Sequence, residues 1–363
     1  MKRSRFLVLL LLFALPGCSP LYVLRAGYGE LKILWRREPI ERWMERPDLD
    51  PRTRKKLELV LDLRRFAEGI GLRVGGSYRT VSVVRPDEVV YLVAAAERFR
   101  LEPLTWWFPV VGRMPYKGFF DADRARRYAS ELEERGYDTM VRSAVAFSTL
   151  GWFDDPLLST VLELDEVTLA NVVLHELFHA TLFVPGEAEF NESFANFVGS
   201  RAALEYFAGR DGTDAPRTRA ARDAWEDALL FSRFLGEFLE ELAGAYERGL
   251  TAPEREELFR KGKERLLRLP FRTPEYPSFA HERWNNAVLL HRRAYYRDLC
   301  LFESLHEKLG GDLRATIEEV RRIGEDGEPP FAAVASRLPD RGASCSRPVE
   351  ELARAGTAEP RAA

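Results

Sequence analysis

The sequence predicts an α+β fold: a small N-terminal mixed sheet with its helices, packed on a mostly helical C-terminal half. Three observations predict it. Between residues 80 and 150, β-branched and aromatic runs are cut into short pieces by Pro103, Pro109 and Pro115. From Asp165 onward almost every segment has helical periodicity. The chain has 363 residues, 46% of them hydrophobic, which is enough for one sizeable core. Residues 18–341 are therefore read as a single domain, with a sheet-containing half over about 18–160 and a helical half over 161–341.

The first 17 residues read as a signal peptide rather than as part of the fold. Lys2, Arg3 and Arg5 form a basic start, and Phe6 to Leu15 is an apolar run too short to span a bilayer. The run ends Leu15-Pro16-Gly17-Cys18, which resembles a bacterial lipobox with an unusual Pro16. Cys18 would then be the lipidated N-terminus, and Ser19 behind it favours the periplasmic face of the outer membrane. Acyl chains on Cys18 would tether an otherwise soluble domain. Export also makes a disulfide possible between Cys300 and Cys345, although Cys300, in an apolar helical stretch, reads as a core thiol.

Leu21 to Leu34 reads as a linker that docks back on the domain. Arg52 to Ile70 is a helix with a partly apolar stripe, ended by Gly69, Gly71, Gly75 and Gly76. Val81–Val84, Val89–Val93, Trp106–Val111 and Met140–Phe147 read as strands. Asp121 to Arg135 is a charged helix with Asp121 as cap and Gly136 as stop. The helical half is read as Asp165–Leu182, Glu187–Phe207, Arg217–Arg248, Glu254–Leu267, Glu282–Leu309 and Leu313–Ile323. Residues 342–363 are rich in Ala, Arg, Glu and Pro and are expected to be disordered. A net charge of −3 and a pI near 6.1 give no reason to expect a nucleic-acid partner.

The chemistry concentrates in His175-Glu176-Leu177-Phe178-His179. Residues four apart share one face of a helix, so the two imidazoles can meet one ion. Zinc suits imidazole and carboxylate ligands, and a catalytic site keeps a position for water. Glu176, next to the first ligand, is placed to take a proton from that water. Val172, Val173, Leu174, Leu177 and Phe178 make the helix largely buried, and buried polar groups need partners.

Glu192 is the expected third ligand. Twelve residues separate it from His179, with Pro185-Gly186 breaking the chain between two helices. About four residues, roughly 6 Å, run from His179 to the first helix end. About five or six, roughly 8 Å, run from the next helix start to Glu192. An antiparallel pair would therefore bring Glu192 level with His179. Glu187 and Glu189 are rivals in a less apolar setting. Asn196, one turn past Glu192, is expected to hold the free nitrogen of a ligating histidine.

Phe190-Asn191-Glu192-Ser193-Phe194-Ala195-Asn196 resembles the Asn-Glu-Gly-Phe-Ala segment of gluzincin aminopeptidases, in which that Glu is the third zinc ligand. The twelve-residue gap is shorter than in those enzymes. A closer resemblance, over nearly the whole chain, is to the "putative aminopeptidase" family of bacterial lipoproteins. It is carried by Val23 to Gly29, Pro115 to Phe120, Ser148 to Pro156 and Trp284-Asn285-Asn286-Ala287. The resemblance implies a zincin-like fold, Zn2+ and a peptide substrate. It also implies an edge strand near Ser148–Phe153, so Gly151 and Trp152 are expected to bind substrate, with Asp154 or Asp155 on its amine.

An oxyanion donor is also required. Gluzincins often use a tyrosine from the helical half, which points to Tyr295 or Tyr296; Tyr116 is a third option. His281 and His291 read as surface or packing residues, and Trp106-Trp107 as core. The sequence thus predicts zinc-dependent peptide hydrolysis, as an aminopeptidase. An endopeptidase and a non-catalytic peptide-binding envelope lipoprotein are the alternatives.

Overall fold

Capping side chains and prolines set where most of the long helices begin. The computed structural model describes residues 33–85, 90–108, 112–144 and 154–338. The signal segment, Cys18, Gly151, Trp152, Cys345 and the tail lie outside the described residues.

In the N-terminal half, β1 (Glu38–Pro39) leads into α1 (Ile40–Met44) and α2 (Pro51–Gly69). Asp50 starts α2 by accepting the Thr53 N–H at 2.9 Å, and Pro51 sits at its first position. Next come β2 (Thr80–Ser82), β3 (Tyr91–Glu97), β4 (Trp106–Phe108), β5 (Gly112–Met114) and β6 (Tyr116–Phe119). α3 (Ala122–Glu134) is capped by Asp121, and β7 (Tyr137–Ser143) follows. The main sheet is antiparallel in the order β6-β3-β7, with Ala94 opposite both Tyr116 and Met140. Alternation sends Val93 and Ala95 of β3 against Ala125, Ala129 and Leu132 of α3. β4 and β5 form a hairpin, and β8 (Leu157–Leu158) joins β1 and β2 in a second small sheet, parallel to β2. The α+β expectation holds.

The helical half is α4 (Glu166–His179), α5 (Ala188–Asp211), α6 (Pro216–Glu247), α7 (Ala252–Leu267), α8 (Glu275–Phe279), α9 (Asn286–Tyr296), α10 (Leu299–Lys308), α11 (Leu313–Glu325) and α12 (Pro330–Ser336). Asp165, Asn285 and Asp312 cap α4, α9 and α11 through their side chains. α7 opens on a capping box, Thr251 with Glu254. The helix expected over Glu282–Leu309 is two helices. Asp298 takes a left-handed φ of 51° and Arg297 an extended conformation, so the chain turns between α9 and α10. Cys300, expected as a core thiol, is disulfide-bonded; its partner lies outside the described residues.

Aromatic rings lock the helices that matter most. Phe178 of α4 meets Phe194 of α5 edge-on at 5.2 Å, and Phe194 meets Phe302 of α10 at 4.9 Å. Gly199 permits the close approach of α4 and α5. A Cβ there would lie 2.8 Å from the Asn171 carbonyl oxygen and 3.0 Å from the His175 Cβ.

Candidate metal centre

α4 presents His175 and His179 one turn apart, and both rings are buried. The chain then reverses within a short connection. The Asn191 side chain accepts the Val184 N–H at 2.9 Å and donates to the Val184 carbonyl at 2.8 Å. Gly186, at a φ of 83°, supplies the turn. This clasp starts α5 so close to the end of α4 that Glu192 reaches the histidines across a twelve-residue gap.

The three expected ligand atoms converge. His175 Nε2 and His179 Nε2 lie 3.2 Å apart, and Glu192 Oε2 lies 3.4 Å from the first and 3.7 Å from the second. Zinc–ligand bonds of about 2.0–2.1 Å in a tetrahedron give edges of about 3.3–3.4 Å, so the triangle has the size such an ion requires. Two imidazoles and one carboxylate are also a recognised catalytic zinc set. Among the described residues this is the group of histidines and acids that could hold a metal, and Nδ1 of His179 is buried without a hydrogen bond to them. Glu187 and Glu189 are not in the group. Glu189 is engaged by Arg297 at 2.5 Å and Arg293 at 3.4 Å.

Without an ion, the electrostatics are uneven. Burial pushes His179 down to about 4. Burial raises Glu192, yet the facing histidines, His179 foremost, hold it down at about 2. Glu176 rises to about 7 through burial, with Glu192 and Asp155 adding to the effect against His175.

Two of the expected tyrosines separate. Tyr295 lies over His175 with the rings at 6.1 Å and 22°. Burial keeps its phenol protonated, and Glu192, Tyr116 and Glu176 are all close enough to influence it. Tyr296 instead packs on Phe231 and Tyr276, away from the histidines. Tyr116, at the start of β6, is likewise kept protonated by burial and feels Glu192 and Glu176. Tyr116 and Tyr295 therefore approach the centre from the sheet and from α9.

Asn196 does not hold a histidine. Its Nδ2 donates to the Tyr295 carbonyl at 2.8 Å, because α9 ends there and its last carbonyls need donors. Ser193 does the same for Ala294 at 2.9 Å. Asn196 thus positions Tyr295. Asp154 is also used structurally: its carboxylate accepts the Gly76 N–H at 2.8 Å and its carbonyl accepts from Arg37.

The long-range neighbours were not legible. The backbone carbonyl of buried Asp155 accepts the Tyr78 N–H at 2.7 Å, and both residues lie near enough to Glu176 to share its electrostatics. Tyr78 has a left-handed φ of 58°, held by Arg64, whose guanidinium donates to the carbonyls of Ser77 and Gly75. The sequence showed only a glycine-rich helix end there. His291 was read as a surface or packing residue. It is buried beside the centre, and its Nε2 lies 2.7 Å from Arg142 of β7. A guanidinium only donates, so the ring accepts. Burial, then Arg142, push it down to about 3.

Searches of curated proteins and of solved structures find no match to the chain. A family model described as "Putative aminopeptidase" matches residues 21–329, and the chain belongs to that family.

Proposed function

We propose that the protein is a zinc-dependent peptidase of gluzincin type, on a zincin-like fold, acting as an aminopeptidase. The observation that carries the reading is the triangle of His175, His179 and Glu192, with edges of 3.2, 3.4 and 3.7 Å, directly beside Glu176. Two imidazoles and a carboxylate would hold Zn2+, which supplies Lewis acidity to the attacking water and to the scissile carbonyl. The Glu176 carboxylate takes the proton of that water and passes it to the leaving amine. It stands next to the first candidate ligand in a largely buried setting, near Asp155. Tyr295 and Tyr116, protonated and both near enough to Glu192 and Glu176 to feel their charge, are the donors for the developing oxyanion. His291, neutral and fixed by Arg142, borders the same space.

The reading includes a lipid anchor at Cys18, placing the enzyme at the periplasmic face of the outer membrane. No helix among the described residues is long and apolar enough to cross a membrane. Cys18→Ser is expected to move the protein from the membrane fraction to the soluble fraction.

The test of the enzyme reading is metal content with activity. Purified mature protein should carry one zinc per chain and cleave free-amine peptides. Loss of cleavage in Glu176→Gln, with zinc retained, supports the assignment. Protein that binds no zinc, or a Glu176→Gln variant as active as the parent, sinks it.

A further inference from the structure

A cavity of about 310 Å3 opens between β3 and α9 beside the metal centre. Glu192, Tyr116 and Tyr295 are part of its lining. Its wall is made of small side chains: Ala94 from β3, and Ala287 and Ala294 from one face of α9, with Leu290 between them. Pro103 and Pro115 complete the apolar lining. Interiors are normally close-packed, and a helix on a sheet usually interdigitates large side chains. Here alanines face each other across the gap, and the space they leave runs to the ligand Glu192.

The size and charge of the space limit what it can take. At about 310 Å3 it is at the lower end of ligand pockets, so it suits one large side chain rather than a length of peptide. Its charged groups are two of each sign besides Glu192: Arg113 and Arg297 against Glu187 and Glu189. Glu189 is already bound to Arg297 at 2.5 Å. The lining therefore favours neither an acidic nor a basic side chain.

We propose that this cavity receives a bulky apolar side chain, of leucine, methionine or phenylalanine size, from the residue flanking the cleaved bond, and that Ala94, Ala287 and Ala294 set its capacity. The inference rests on the peptidase reading and names its substrate class. Burying such a side chain should favour it over glycine by at least about tenfold in kcat/KM, since even one methylene in an apolar pocket is worth roughly tenfold or more. Ala94→Leu or Ala294→Leu fills the space.

The experiment uses full-length, zinc-loaded protein and a panel of peptides carrying Gly, Ala, Leu, Phe, Lys or Glu on either side of the scissile bond. Cleavage is measured with the parent, and binding of the same peptides with Glu176→Gln. Leu and Phe should lead in both, and either filling variant should lower the Phe-to-Gly ratio at least about tenfold. Indifference to side-chain size, or preference for Lys or Glu, overturns the inference and leaves the peptidase reading standing. If the parent cleaves nothing while Glu176→Gln still binds the Phe peptide at least tenfold tighter than the Gly peptide, the peptidase reading falls and with it the assignment to a residue beside a cleaved bond, leaving only a pocket selective for bulky apolar side chains. If there is neither cleavage nor binding, both fall. Should Ala94→Leu fail to fold by circular dichroism, Ala294→Leu and the parent series decide.

Discussion

α5 borders two buried clusters of histidine and carboxylate. Near its start, Glu192 meets His175 and His179. In its second half, Arg201 and Glu205 meet His306 and Glu303 of α10. The residue types are alike, but the second cluster contains its own cation. Arg201 donates to His306 Nε2 at 2.9 Å and lies 3.5 Å from Glu303. Because a guanidinium only donates, the His306 proton sits on Nδ1, which faces Thr316 Oγ1 at 3.1 Å; that hydroxyl donates in turn to the Asp312 carbonyl. Every step of the chain has a donor and an acceptor. In the first cluster the atoms that converge on one point are two imidazole nitrogens and a carboxylate oxygen, and no Arg or Lys among the described residues forms an ion pair with Glu192. Adding a side-chain cation satisfies such a cluster within the scaffold, and omitting it leaves a group that could hold a metal ion.

The sharpest way to break this contrast is metal content. His179→Ala or Glu192→Ala should abolish stoichiometric zinc and all peptidase activity, whereas His306→Ala should keep its zinc. Zinc lost equally from both would erase the distinction. Next in size, Glu176→Gln should lower kcat by about 10²–10⁴-fold with zinc unchanged, read by steady-state kinetics beside elemental analysis. Tyr295→Phe should follow, at about 10²–10³-fold in kcat, while Tyr296→Phe, whose ring packs on Phe231, should stay within about threefold. A reversed order would move the oxyanion donor to the other residue.

The scaffold cluster should respond in stability instead. Arg201→Met removes the donor to His306 and the cation beside Glu303, which keeps only the Trp225 N–H, and should cost about 1–3 kcal/mol in urea unfolding, with zinc retained. The smallest effect is in pH. Burial, with Arg201 beside it, pushes His306 down to about 4 in the folded chain, below its ordinary 6.5. The depressed value favours the neutral ring in the fold. Its contribution is therefore complete above pH 6.5 and is lost as pH falls from 6.5 towards 4. Arg201, Glu205, Asp312 and Thr316 face the ring, and Glu205 itself rises to about 7 through burial. Thermal melts of His306→Gln should show a shallower loss than the parent over that range.

Much of the helical half was legible because its signals are local. Asp121 caps its helix as expected, Asp165 and Asp312 cap theirs at or just before the expected starts, and the spacing of His175 and His179 is a property of any helix. Glu192 was reachable because a turn and two helix lengths fix its level. The break at Asp298 escaped because a non-glycine residue in a left-handed conformation leaves no compositional mark. Asn196 was placed on the correct face and given the wrong partner, since the end of α9 that needs its amide lies about a hundred residues away. The surroundings of the centre escaped for the same reason: Tyr78 and Asp155 reach Glu176, and His291 with Arg142 reaches Glu192, only through tertiary packing. The cavity escaped because a run of alanines in a strand looks like weak structure until a helix face with its own alanines lies opposite.

The Asn191 clasp on Val184 has a consequence for the order in which this enzyme assembles. It confines all three candidate ligands to residues 175–192, a continuous stretch of 18. Closing so short a segment involves little chain entropy, and its contacts are local, so it can form early. Tyr116 and Tyr295, by contrast, arrive from a strand and a helix distant in sequence. On the zinc reading, an emerging chain can assemble its three candidate ligands before the sheet half docks, and gains its oxyanion donors only when Tyr116 and Tyr295 arrive.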